Sequence, residues 1–214
     1  MANSNVAFGL KPIGILGAAP YTSGVTEYRI ASDNSNPIFQ GMAVIPLAAG
    51  VIDDLQAAAG GNVGIAGVFN GCEYVSSTTG ETIFSNYWPG SGADSNFPVK
   101  AFVYDNPNQL FTICTSNVVS AANTEAEVRA AVFANIAFAT GNSGSTTTGI
   151  SSATADLNTI ATTNTLALRI MGVQDDPENS DFTAAGIPLI VRINNHFNAP
   201  TGSIAAGTVS TTGV

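Results

Sequence analysis

The chain reads as all-β, a β-barrel or β-sandwich built from antiparallel hairpins, with one short helix near 124–134 and an extended N-terminal arm. Three observations carry that expectation. Short apolar runs recur along most of the sequence, separated by Gly, Pro, Asn and Asp, which is the punctuation of strands and turns. Several runs alternate with period two, as a strand with one buried face must. A single stretch has the chemistry of a helix.

Residues 1–25 are rich in Gly and Pro with scattered apolar anchors, Phe8, Leu10, Ile13, Ile15 and Leu16, which suits an arm lying on a surface. From there the strands "TEYRIA", "IFQGMAVIPL", "GIAGVFNGCEYV", "ETIFSNYW", "VKAFVY" and "LFTICT" follow. The pieces "STTGET" and "DNPNQ" read as hairpin connections, with Gly80, Asn106 and Pro107 where turn geometry needs them. The stretch "NTEAEVRAAVF" predicts two or three helical turns, because Thr124 and Glu127 have capping-box spacing. A polar Gly/Ser/Thr excursion covers 141–164, and its Ile150, Leu157 and Ile160 imply that it packs against something. Two strands close the pattern, "TLALRIMGV" and "GIPLIVRINNHF". In the second, Ile187, Leu189, Val191 and Ile193 form one face, and Pro188 marks a strand start or a sheet edge. Residues 26–214 thus form one β-rich domain behind the arm.

Composition excludes several classes of function. Charged residues make up 10% of the chain, against roughly 25% in an ordinary soluble domain, so hydroxyls and amides must hydrate the surface. A net charge of −9 argues against nucleic acid and anionic membranes as partners, since a phosphate backbone needs a cationic footprint. No apolar run approaches the ~18 residues of a membrane span. The N-terminus lacks the basic leader of an export signal, so none is expected. Cys72 and Cys114 are expected as buried thiols, with a bridge between them left open.

Chemical motifs are sparse. Asp175, Asp176, Glu178 and Asp181 in "VQDDPENSD" could offer oxygens to calcium, but their order departs from an EF-hand loop and Pro177 stiffens it. A solvated turn between the last two strands is the expectation, with no metal and no cofactor. His196 is the chain's single histidine and reads as a surface or interface residue without triad partners. No G-x-S-x-G and no phosphate loop occur, so neither an enzyme nor a small-molecule substrate is expected. The aromatic segment "IFSNYWPGSGADSNFPVKAFVY" suggests either core or interface. Phe8, Leu10, Ile13, Tyr87, Trp88 and Phe97 are the interface candidates, and Tyr87 and Trp88 could also form a carbohydrate platform.

The blocks "AFGLKPIG", "TEYRIAS", "IFQGMAV", "GVFNGCEY", "YWPG", "TTTGISSATADL" and "LRIMGVQDDPENSD" together resemble virion structural proteins of tailed double-stranded DNA phages of marine bacteria, cyanophages included. Residues 38–69 also resemble the layout of small β-rich head decoration proteins, departing from it in the aromatic insertion at 70–98 and the longer C-terminal half. The resemblance implies a capsid decoration or cement protein on the outer surface of the head. Its partners would be the major capsid protein and copies of itself, as a homotrimer at lattice three-folds. A tail, knob or fibre component, or a carbohydrate-binding module, is the alternative.

Overall fold

The computed structural model describes residues 3–17, 24–55, 64–116, 124–139 and 143–199. Within the expected arm, 1–2 and 18–23 lie outside the described residues, as do the first two residues of the expected excursion. In chain order the strands are β1 (Lys11–Ile15), β2 (Thr26–Ile30), β3 (Ile38–Phe39), β4 (Ala43–Pro46), β5 (Ile52–Asp54), β6 (Gly67–Val75) and β7 (Thr82–Ser85). They continue with β8 (Tyr87–Trp88), β9 (Val99–Tyr104), β10 (Gln109–Cys114), β11 (Asn135–Phe138), β12 (Ala155–Ala161), β13 (Leu168–Val173) and β14 (Pro188–Ile193). One helix, α1 (Glu125–Ala130), precedes β11. The all-β expectation holds.

Twelve of the fourteen strands form two antiparallel sheets, each packed on its own core, and β3 and β8 form a separate ribbon. The first runs β2-β9-β6-β4-β5 with β7 paired to β6, and its outermost strands β2 and β5 come back within contact distance of each other. Its buried face holds Ile30, Val44, Ile52, Phe69, Val99, Ala101 and Val103. A two-stranded ribbon, β3 with β8, adds Ile38, Phe39 and Trp88 to this core. Asp53 helps to close the seam: it is buried, and its carboxylate accepts from the side-chain amides of Asn34 (2.8 Å) and Asn36 (3.2 Å) in the loop after β2.

The second sheet runs β1-β10-β14-β13-β11-β12. Thr115, just past β10, forms a parallel bridge to Ala155 of β12, so this sheet also bends back on itself. The alternation seen in the last two strands is realised here, with Leu168 and Ile170 of β13 facing Leu189, Val191 and Ile193 of β14 in one buried cluster with Phe111 and Ile113. Pro188 is the first residue of β14, where no ladder N–H is lost, and the strand is central, between β10 and β13. Ala43 and Val68 turn away from the first core and join the second, which couples the two sheets.

Two local expectations need correction. "STTGET" does connect a hairpin, β6 to β7, with Gly80 at φ 73°. "DNPNQ" does not: β9 belongs to the first sheet and β10 to the second, so this turn is the crossover between them. The helix is also shorter than two or three turns. Its capping box is complete, Thr124 and Glu127 each bonding the other's backbone N–H. It stops at Ala130 because the Phe133 N–H is drawn to the Ile170 carbonyl of β13 (2.8 Å), which turns the chain into β11.

The N-terminal segment is not free to reach elsewhere along its described length. β1 pairs with β10 of its own sheet, and Leu10 is 1% exposed inside the second core. Backbone approach explains that insertion: Gly9 lies at φ 71°, and a Cβ there would stand 2.6 Å from the Gly41 carbonyl oxygen. The polar excursion likewise packs, since Gln40 bridges Ile150 and the segment leads into β12.

Candidate functional site

The stretch "VQDDPENSD" joins β13 to β14, and its side chains work on the fold. Asp175 pairs with Arg129 of α1 at 2.8 Å. Asp176 caps the 3-10 turn Pro177–Asn179, accepting from the Glu178 N–H (3.0 Å) and from the Asn179 amide (2.7 Å). Asn179 is buried, and its Oδ1 accepts from the Asn5 N–H at 2.7 Å. Asp181 accepts from Thr183, whose hydrogen bonds hold its carboxyl below the usual range, while its own N–H donates to Asn3 Oδ1 at 3.0 Å. Asn3 in return donates to the Ala185 carbonyl (2.8 Å), and Asn5 to that of Gly186 (2.8 Å). The acidic loop is therefore a latch for the N-terminal segment. Among the described residues no group of three or more His, Cys, Asp or Glu is arranged to hold a metal ion.

A cleft of about 550 Å³ opens beside this latch, lined by Phe8, Ile13, Gln40, Asn70, Gln174 and Ile150 among others. Asn70 stands at the irregularity between Phe69 and Gly71 in the β6–β9 register, a bulge that re-aims one side chain. Its Oδ1 accepts from Gln40 Nε2 (3.0 Å), and Gln174 Oε1 accepts from the Thr112 hydroxyl (2.9 Å). Amide meets amide in one pair and hydroxyl meets amide in the other, and Lys11, Tyr104 and Asp176 line the same cleft. The two pairs can hold one another or a polar ligand.

The interface candidates divide on burial. Trp88 is 0% exposed; its Nε1 donates to the Asn34 carbonyl (3.1 Å), and its ring meets Tyr74 edge to face. It is a core residue, as is Leu10, so neither is available as a surface anchor. With Trp88 enclosed, a carbohydrate platform formed with Tyr87 is also lost. Tyr87 is half-buried and stacks on Phe39 with ring centroids 5.6 Å apart. Phe8 is half-buried on the cleft, while Ile13 (41%) and Phe97 (50%) are exposed.

His196 also departs from expectation. It is 2% exposed, bridges Ile65 across the junction of the two sheets, and accepts the Asn198 N–H on Nδ1 (3.1 Å). Its Nε2 is buried and has no hydrogen-bond partner among the described residues, and burial pushes its pKa down to about 4. Cys72 and Cys114 are both buried and unbridged, one in the first core and the other beside Val6. Burial pushes the Cys72 thiol up to about 12, which leaves it protonated and inert.

No family model, curated protein or solved structure matches the chain. One surface escaped the sequence reading. Register places Arg29, Lys100, Glu73 and Phe84 in a single row across β2, β9, β6 and β7, and Phe84 is 73% exposed. Only the strand pairing brings these residues together; their spacing along the chain carries no signal.

Proposed function

We propose that the chain is a non-enzymatic structural protein of a phage particle, a decoration or cement protein bound to the outer surface of the major capsid protein lattice. The observation that carries this reading is the contrast between exposed apolar side chains on strands and turns, Ile13, Phe84 and Phe97, and the enclosed His196, Cys72 and Cys114, with Asp175 and Asp176 engaged in contacts within the fold. Exposed aromatics anchor protein contacts, and such contacts need no catalytic set. The resemblance of the sequence blocks to virion proteins supplies the kind of partner. An outer position suits the net charge of −9, which packaged DNA would repel. Trimers at lattice three-folds are the arrangement this role implies.

Copy number tests the proposal. Quantitative mass spectrometry of purified particles should find the chain in hundreds of copies per head. A handful of copies per particle would overturn the cement role in favour of a tail, knob or fibre component.

A further inference from the structure

The row Arg29, Lys100, Glu73, Phe84 faces outward, because the residues alternating with it, Tyr28, Ile30, Val99, Ala101, Cys72 and Tyr74, lie in or against the first core. Read across the sheet it is cation, cation, carboxylate, aromatic. Lys100 and Glu73 already touch at 3.3 Å. The two ends of the row are unsatisfied. Arg29 stands directly across from Lys100, a like-charge cross-strand pair that is unfavourable, and among the described residues Arg29 forms no ion pair. Phe84 holds a large ring in water beside Glu73. Two of the chain's six cations thus stand side by side on one exposed face of a protein with net charge −9.

We propose that this face is the contact surface of a two-fold dimer of the chain. A two-fold axis parallel to the strands and midway between β9 and β6 keeps each residue at its height along the strand and reverses the strand order. The row then lies against itself inverted. Arg29 comes over the partner's Phe84, a cation–π contact, and Lys100 faces the partner's Glu73; both contacts occur twice. Every position meets a complementary one, and the Arg29–Lys100 repulsion is relieved by an aromatic face and a carboxylate. A patch four strands wide is smaller than the ~800 Å² per partner of a stable complex, so the dimer is weak and salt-sensitive. Such an isologous contact closes on itself.

Sedimentation equilibrium of the full chain at low salt, from micromolar to submillimolar concentration, tests the contact. The native chain should pass from monomer to dimer, and Phe84→Ala should weaken association about tenfold or more. Lys100→Glu alone and Glu73→Lys alone should stay monomeric, since each opposes like charges across the axis. An equimolar mixture of the two should dimerise again, because the two carboxylates of the first variant then meet the two ammonium groups of the second. That rescue also shows that both variants are folded. A native chain that remains monomeric throughout, or that binds only an acidic partner, would overturn the proposal, as would a mixture no better than its components.

Discussion

His196 lies where the end of β14 meets the entry to β6, and its surroundings decide its protonation. Burial is the main cause of its lowered pKa; Arg192 of β14 adds to the lowering, while Asp105, held by the Tyr28 hydroxyl at 2.9 Å, opposes it. Arg192 is itself pushed down by burial and by Arg169 across the β13–β14 pair. The linkage has a definite sign. The imidazole takes a proton below about 6.5 when unfolded but only near 4 when folded, so stability is unaffected at neutral pH and falls as pH drops between those values. The cost approaches about 3 kcal/mol near pH 4. His196→Asn keeps an acceptor for the Asn198 N–H and has nothing to titrate. Its urea-unfolding free energy should decline less steeply than the native chain's between pH 6.5 and 4; identical slopes would mean that His196 does not sense pH.

The N-terminal segment and the loop between β13 and β14 behave as one element, because Asn3 and Asn5 bind the loop through side-chain and backbone bonds and Asn179 returns one from inside. Asn179→Ala removes the acceptor of the Asn5 N–H in a buried place, a loss of about 1–3 kcal/mol. Amide exchange across residues 3–10 should then speed up about tenfold or more while the β14 amides keep their protection; unchanged exchange in 3–10 would contradict the latch. The elements themselves were largely readable. The capping box of Thr124 and Glu127, the hairpin at Gly80 and the alternation of Leu189, Val191 and Ile193 are local patterns, and local patterns survive in the fold. The latch was not readable, because Asn3 and Asp181 are distant in sequence and asparagines near a terminus look like ordinary polar residues. Leu10 was misread for the same kind of reason, since its burial depends on Gly9 meeting Gly41.

Across the whole molecule, what composition hid is the division into two sheets. β10 pairs with β14, far along the chain, and the turn after β9 has the residues of a hairpin although it carries the chain from one sheet to the other. Turn chemistry specifies a local bend; which strands meet afterwards is decided by the non-local cores. The exposed row on β2, β9, β6 and β7 became visible only through that pairing. Two cores meet at Ala43 and Val68, His196, Cys72 and Cys114 are enclosed, and the outer faces offer aromatic and aliphatic side chains. That arrangement suits a protein whose work is to hold neighbours together. Imaging of the assembled particle tests the role most directly. A reconstruction should show this two-sheet body in regular array on the outer surface of the head, against the major capsid protein; finding it in the tail alone, or nowhere in the particle, would contradict the assignment.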